Sequence, residues 1–228
     1  MNKFLWKVEN GCLDYTPITT IENAITQKQA QEISQQILEF SKTEFSKQHE
    51  KFAKDNNPGC WRGFALEAPD DVPGLSKENK KLIVDTIQEA GKMYMESWQQ
   101  PTNFYKATWH TEPFDFFNNM DMDIHVWFNI NNKGAANMLH NHHGALFSGV
   151  FYFQAEDTGP FRMYPDNYIV GYTHPCWPYK GTSFHYPKDG DMLLFPSYLS
   201  HDVPENPIDK QRINCAFNVS PRPKMPQG

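Results

Sequence analysis

A strict alternation of side chains over residues 123–130, with the sequence DIHVWFNI, constrains the fold more than any other feature of this chain. A period of two is the signature of a β-strand that buries one face. Three short apolar segments follow, at 145–154, 190–196 and 212–219, and Gly, Pro, Asn and Asp punctuate the gaps between them. Short strands separated by turn signals predict a β-sandwich or barrel. In the alternating segment the first face carries Ile124, Val126, Phe128 and Ile130, and the second carries Asp123, His125, Trp127 and Asn129.

The first hundred residues follow the helical period instead. Residues 26–52 and 76–98 repeat their apolar side chains every three to four positions, which predicts two amphipathic helices. Ser76 is a suitable N-cap for the second helix, and the segment 56–64 between them reads as a turn-rich connector. We therefore predict a single domain over 1–228: a mostly helical N-terminal support (1–110), a β core (111–220) and a short tail (221–228).

The charge and cysteine content exclude several classes of protein. The net charge is −6, and no stripe of Lys and Arg is present, which argues against nucleic-acid or anionic-membrane partners. The first fifteen residues lack the apolar core of a secretory leader and no later segment is long and apolar enough to span a bilayer, so we expect neither a leader nor a membrane span. The four cysteines are far apart, so we expect free thiols and a cytoplasmic protein. Exposed aromatic residues near the barrel mouth would be compatible with a homo-oligomer.

Three histidines within four positions form the strongest candidate for a metal site. In an extended chain His140 and His142 point the same way, whereas His143 points away. His201, which follows the apolar segment 190–196, is available as a third ligand. The alternative is that these are solvated imidazoles at the end of a loop.

Arg212 begins the last apolar segment and shares a face with Asn214. An arginine inside a barrel is costly unless an anion pairs with it, and a carboxylate is the natural partner of a guanidinium. The alternative is a surface arginine at the start of a strand.

In combination these elements resemble a family of iron(II)- and 2-oxoglutarate-dependent oxygenases, over roughly residues 124–220. The resemblance implies a mainly β fold with flanking helices (α+β): a double-stranded β-helix, or jelly-roll and cupin-like barrel, made of two four-stranded antiparallel sheets and buttressed by the N-terminal helices. The matching pattern consists of Trp127, Asn129, Gly134, Asn137, His140, His142, SGVFY (148–152), Gly190, Asp191, FPSYLSH (195–201), Arg212 and FNV (217–219).

The same resemblance implies the roles of individual residues. His140, His142 and His201 would hold Fe(II), and Arg212 with Tyr152 would bind the distal carboxylate of 2-oxoglutarate, while O₂ completes the reactants. Asn214 and Asn137 are further candidates for cofactor binding. Most members of the wider superfamily have a carboxylate where this chain has His142, whereas the pattern of the closer family reads H-x-H as it does here. Asp123 or Asp202 could supply one instead, although Asp202 should point opposite to its neighbour His201.

The expected function is a hydroxylase of a peptide, an amino-acid-like compound or another small substrate. His125, Trp127 and Asn129 share a strand face that could line the substrate pocket, although core packing is the alternative for Trp127. Residues 155–185 could form a lid. Two alternatives remain open. One is a cupin-like, three-histidine metal dioxygenase or isomerase that does not use 2-oxoglutarate. The other is a β-barrel binding module without catalysis.

Overall fold

The computed structural model describes residues 7–13, 16–43, 60–65, 74–98, 120–164 and 182–223. These residues form two helices, α1 (Gln27–Ser41) and α2 (Lys77–Trp98). They also form eleven strands, which are β1 (Lys7–Leu13), β2 (Thr16–Glu22), β3 (Cys60–Ala65), β4 (Met120–Asn131), β5 (Asn137–His140), β6 (Phe147–Gln154), β7 (Phe161–Tyr164), β8 (Ser183–His185), β9 (Met192–Pro196), β10 (Ser200–Val203) and β11 (Arg212–Pro223).

The strands form two antiparallel sheets. The major sheet has the order β1-β2-β9-β6-β11-β4-β3, and the minor sheet has the order β5-β10-β7-β8. Four neighbouring strands of the major sheet, β9-β6-β11-β4, correspond to one sheet of the expected barrel, and the minor sheet corresponds to the other. This arrangement confirms the prediction of a mainly β jelly-roll fold with flanking helices.

The major sheet is buried on both faces. Towards the helices, Phe128, Phe151 and Phe217 pack with residues of α1 and α2 in the larger core cluster. Towards the minor sheet, Val150 and Tyr152 of β6 pack in a second cluster between the sheets. Strand β6 is therefore buried almost throughout and reads as a continuous apolar run, whereas the less covered β4 shows the alternation.

Both helices begin where the sequence signals place them. Thr26 and Gln29 form a capping box at the start of α1, and the Oγ of Ser76 accepts a hydrogen bond from the backbone N–H of Asn79 over 3.1 Å. Helix α2 matches the predicted 76–98 segment closely. Helix α1 ends at Ser41, and residues 44–52 of the first predicted helix lie outside the described ranges.

The N-terminal part of the chain contributes strands as well as helices, which the sequence analysis did not predict. Strands β1 and β2 extend one end of the major sheet, and β3 extends the other. The segment 56–64, predicted as a connector, contains the start of β3, which pairs with β4 from Cys60 opposite Asn131. An uncovered strand edge carries unpaired N–H and C=O groups, and β3 satisfies those of β4.

Two further expectations concern cysteines and membranes. Cys60 and Cys215 are buried free thiols. Neither of the described helices has the length and apolarity needed to cross a membrane.

Candidate metal centre and cavity

The three predicted ligand histidines come together at the open end of the barrel. His140 ends β5 and lies directly opposite His201 on β10. One nitrogen from each of His140, His142 and His201 lies within 4.8 Å of the others. This is the one cluster of its kind that the described ranges contain, and three convergent imidazoles form a set of donors that could hold a transition metal.

His142 reaches this group by a different route from the one predicted. The strand ends at His140, and His142 lies in the irregular segment that follows. Its backbone N–H donates to the carbonyl of Ser197 over 2.8 Å, which fixes the turn against the segment before β10. The two residues do not share one extended strand, yet both belong to the three-histidine group.

Hydrogen bonds to Nδ1 orient all three rings. Nδ1 of His140 contacts the carbonyl of Met138 at 2.6 Å, and Nδ1 of His201 contacts the carbonyl of Leu199 at 2.8 Å. Nδ1 of His142 lies 2.6 Å from Oδ1 of Asn218. A carbonyl or amide oxygen only accepts, so each Nδ1 carries the proton and each Nε2 keeps a free lone pair. This is the tautomer that a metal requires.

The environment also keeps these rings neutral. Burial lowers the pKa of His142 to about 4 and that of His201 to about 3. The pKa of His140 is lowered for the same reason, although part of this residue is exposed at the cavity mouth. Neutral imidazole is the form that coordinates a cation.

Arg212 is a buried cation whose guanidinium is hydrogen-bonded to Thr158. It is 2% exposed, its Nε donates to Oγ1 of Thr158 over 2.9 Å, and its Nη2 donates to the carbonyl of Thr158. Among the described residues it makes no ion pair. Burial lowers its pKa, yet a guanidinium remains charged near neutral pH. The two bonds to Thr158 leave Nη1 available for an anion.

Tyr152 lines the same cavity as Arg212, and its hydroxyl has no hydrogen-bond partner among the described residues. The residue is 2% exposed, and its oxygen makes no hydrogen bond within the described parts of the chain. Burial raises its pKa well above the usual range, while the nearby charge of Arg212 acts in the opposite direction. The phenol is therefore protonated and can donate to a bound anion.

A row of side chains crosses four strands of the major sheet beside these two residues. Arg62 of β3 is opposite Asn129 of β4, Asn129 is opposite Asn214 of β11, and Asn214 is opposite Tyr152 of β6. We call these four residues the cross-strand row. Nδ2 of Asn129 donates to Oδ1 of Asn214 over 3.0 Å, so the middle of the row is internally bonded.

One cavity of about 540 Å³ is lined by every residue predicted for the site. The ligand histidines, Arg212 and Tyr152 line it together with Asn214 and Asn129 of the cross-strand row. Asn137 also lines it, and its Oδ1 accepts from Nδ2 of Asn131 over 2.7 Å. The remaining predicted residues, His125 and Trp127, lie in the same lining, and His143 borders the cavity without joining the three-histidine group.

Neither aspartate considered as an extra ligand joins the histidines. The carboxylate of Asp202 binds Arg162 through two hydrogen bonds of 2.6 Å. Asp123 is exposed and lies 3.3 Å from the guanidinium of Arg222. The predicted lid falls largely on residues 165–181, which lie outside the described ranges.

Three contributors to the site were missed by sequence reasoning. Asn218 belongs to the quoted FNV motif, yet only the fold reveals its contact with His142. Thr158 lies in the turn before β7 and carries no local signal. Arg62 lies in the segment interpreted as a connector, and its charge contributes to the lowered pKa of His140 and His142.

Residues 125–218 match the family model described as "Putative 2OG-Fe(II) oxygenase". No curated protein sequence matches the chain. Among solved structures, a prolyl-4-hydroxylase from Pseudomonas putida is 12% identical with a TM-score of 0.57, covering 91% of this chain and 93% of that one. HygX from Streptomyces hygroscopicus, solved with nickel and 2-oxoglutarate, is 11% identical with a TM-score of 0.54, covering 91% and 84%.

A prolyl hydroxylase from Trichoplax adhaerens, solved with a hypoxia-inducible-factor peptide, is 12% identical with a TM-score of 0.55, covering 89% of this chain and 83% of that one. At these identities the likeness concerns the fold. The matched residues run from within β4 to within β11 and include the three histidines, Tyr152 and Arg212. Residues 125–218 thus match a model of the iron(II)- and 2-oxoglutarate-dependent oxygenases, the family that the sequence pattern resembled.

Proposed function

We propose that His140, His142 and His201 bind one Fe(II) ion and that Arg212 and Tyr152 anchor 2-oxoglutarate for the hydroxylation of a small substrate. The observation that carries this proposal is that one cavity holds a buried arginine and a buried hydroxyl, for which the described residues supply neither an anion nor a hydrogen-bond partner, respectively. Burying either group unpaired is costly. A carboxylate between them would compensate both.

The metal site fits a catalytic role because it is open. Three protein ligands leave coordination positions free for co-substrate and O₂, whereas a structural zinc site is closed by four protein ligands. When bound, Fe(II) would support the oxidative decarboxylation of 2-oxoglutarate to succinate and CO₂, with transfer of one oxygen atom to the substrate.

The side chains of the chain itself would hold, orient and shield the reactants. Nδ1 bonds to Asn218 and two backbone carbonyls fix the ligand rings. Phe161 and Phe195 pack against His201 with ring centroids 4.9 Å away, so they exclude water from the buried side of the site. Thr158 holds Arg212 ready for the co-substrate, and Asn214 and Asn137 would complete its polar surroundings.

The substrate would occupy the part of the cavity lined by His125, Trp127 and Asn129. The ring centroid of Trp127 lies 5.7 Å from that of His125 and 5.6 Å from that of His142, so this part of the cavity adjoins the metal ligands. Oδ1 of Asn129 is buried and makes no hydrogen bond with the described residues. It could accept one from a hydroxyl or amide of a small molecule or of a peptide.

A spectroscopic titration tests the proposal. Under anaerobic conditions, protein given Fe(II) and then 2-oxoglutarate should develop a visible charge-transfer band that neither gives alone. His201→Ala should abolish iron binding. Arg212→Gln should weaken 2-oxoglutarate binding and leave iron binding intact, and Arg222→Gln, at an exposed arginine outside the cavity, is the matched control.

Succinate release in the presence of substrate pools then tests turnover, with the uncoupled reaction as baseline. Iron binding without any binding or consumption of 2-oxoglutarate would contradict the proposal and favour a three-histidine dioxygenase or isomerase that needs no such co-substrate.

A further inference from the structure

The cavity lining is positively charged, whereas the protein as a whole has a negative net charge. The described lining contains two arginines, Arg62 and Arg212, and no aspartate or glutamate. The chain has a net charge of −6, so this distribution opposes the overall balance. Asp202, which follows the ligand His201 in the sequence, is outside the lining and already bound by Arg162. The cavity itself therefore has no anion of its own.

The proposed cofactors do not restore neutrality. Fe(II) and the two arginines would bring four positive charges, and the 2-oxoglutarate dianion would balance two of them. In relatives with a carboxylate ligand the protein itself contributes a negative charge, but His142 contributes none. Two positive charges remain, one of them on Arg62. A bound anion would be attracted strongly, because charges interact more strongly where water is displaced.

Arg62 has the geometry of a binding residue. Its guanidinium carbon lies 4.9 Å from the ring centroid of Trp127, so one face of the group is stacked on the indole. Stacking occupies the face and leaves the N–H edges free for the two parallel hydrogen bonds that a carboxylate accepts. Among the described residues Arg62 makes no ion pair. It occupies the outer end of the cross-strand row, whose inner end is Tyr152.

The two arginines therefore divide the cavity. Arg212 is held by Thr158 at the buried end, beside Tyr152, where the co-substrate is proposed to bind. Arg62 lies at the exposed end, across Asn129 and Asn214 from that site. An anion at Arg62 would thus belong to a second molecule.

We propose that Arg62 binds a carboxylate of the primary substrate, so that this oxygenase acts on a small organic acid. The inference rests on the proposed function, which assigns the other arginine to 2-oxoglutarate. It names the class of substrate and the residue that selects it. The neutral ligand set at the metal is then matched by negative charge on both bound molecules.

Calorimetric titration of nickel-loaded protein, which binds ligands without turnover, tests the inference. With 2-oxoglutarate saturating, the probes are benzoate, phenylacetate and hexanoate, each paired with its neutral amide. We expect at least one carboxylate to bind roughly tenfold more tightly than its amide. Arg62→Gln should reduce that preference to less than about twofold, whereas Arg222→Gln should leave it unchanged.

The inference is overturned if none of the carboxylates binds more tightly than its amide, or if the preference survives in Arg62→Gln. Phenyl phosphate tests whether the substrate anion is a phosphate. If it binds more tightly than benzoate and this binding depends on Arg62, the carboxylate assignment is overturned in favour of a phosphate. A separate titration with 2-oxoglutarate alone tests the proposed function. If that titration fails, the probe series is repeated in Arg212→Gln protein, where a remaining preference reports on Arg62 alone.

Discussion

The Nδ1 atom of His142, in the turn after β5, donates a hydrogen bond over 2.6 Å to Oδ1 of Asn218 on β11. The same oxygen accepts a hydrogen bond from Oγ of Ser148 over 2.8 Å. Oγ of Ser148 also lies 3.0 Å from Nδ1 of His142. His142 lies outside the strands, so Asn218 and Ser148 together determine its tautomer and the direction of its ring.

Replacing Asn218 should therefore weaken metal binding. We expect Asn218→Leu to reduce metal affinity about 10-fold, because the ring of His142 loses the closer of its two orienting partners and keeps only Ser148. Asn218→Asp retains an acceptor and should recover most of the affinity. Competition titration with a chromophoric chelator measures both variants, and circular dichroism checks the fold. Equal affinity of Asn218→Leu and the unchanged protein would contradict this role.

Gly149 of β6 should tolerate no side chain. A Cβ atom there would lie 2.6 Å from the backbone carbonyl of Leu193 and would overlap the ring of Phe217. We expect Gly149→Ala to lower the free energy of unfolding by about 3 kcal/mol. Gly134→Ala is the matched control, since its Cβ would meet open space and only its positive φ of 78° is unfavourable. That variant should cost about 1 kcal/mol. Urea denaturation of both compares them, and equal losses would be inconsistent with the packing argument.

The ion pair of Arg162 and Asp202 should stabilise the minor sheet more than a surface pair does. Its carboxylate is 11% exposed and also accepts a hydrogen bond from Tyr164 over 3.0 Å. Arg162→Met leaves this carboxylate with less compensation, so we expect a loss of about 1–3 kcal/mol in the free energy of unfolding. Arg222→Met removes the exposed pair with Asp123 and should cost less than about 0.5 kcal/mol. Thermal and urea unfolding measure both. Similar losses would contradict the assigned difference in burial.

His185 should make the protein sensitive to acid. Burial lowers its pKa from 6.5 to about 4, and its Nε2 makes no hydrogen bond among the described residues. Between these two pKa values the unfolded chain binds the proton and the folded chain does not, so stability falls as the pH falls from 6.5 towards 4. The loss from this group is about 3 kcal/mol at most, at about 1.4 kcal/mol per pH unit.

Replacing His185 by Phe should therefore flatten this part of the pH profile. The free energy of unfolding of both proteins is measured by urea denaturation at several pH values from 7 to 4. Comparing the variant with the unchanged protein removes the contribution of the other histidines. Parallel profiles would exclude His185 as a source of the acid sensitivity.

Local patterns predicted the central parts of the fold and most of the candidate site. The alternation over 123–130 identified β4 and its two faces, because β4 has a core on one side and the cavity on the other. The order of His140, His142, His201 and Arg212 identified a group of residues that the folded chain gathers in one cavity.

Features that depend on partners distant in the chain escaped the same reasoning. Strand β3 has a Gly- and Pro-rich approach and becomes a strand only by pairing with β4, so Arg62 was read as part of a connector. His142 was assigned to an extended strand because the pattern H-x-H fits one. The contact of its N–H with Ser197, which lies far along the chain, bends the backbone there instead.

The cross-strand row limits where this chain can gain or lose residues during evolution. Its four members come from distant parts of the chain and meet through strand register alone. Loops between these strands can lengthen or shorten without moving them. Deletion of one residue inside β4 or β11, however, would turn the polar members towards the helices and the apolar ones into the cavity. Insertions and deletions should therefore be tolerated at the ends of these strands and not within them, even where most side chains have been replaced.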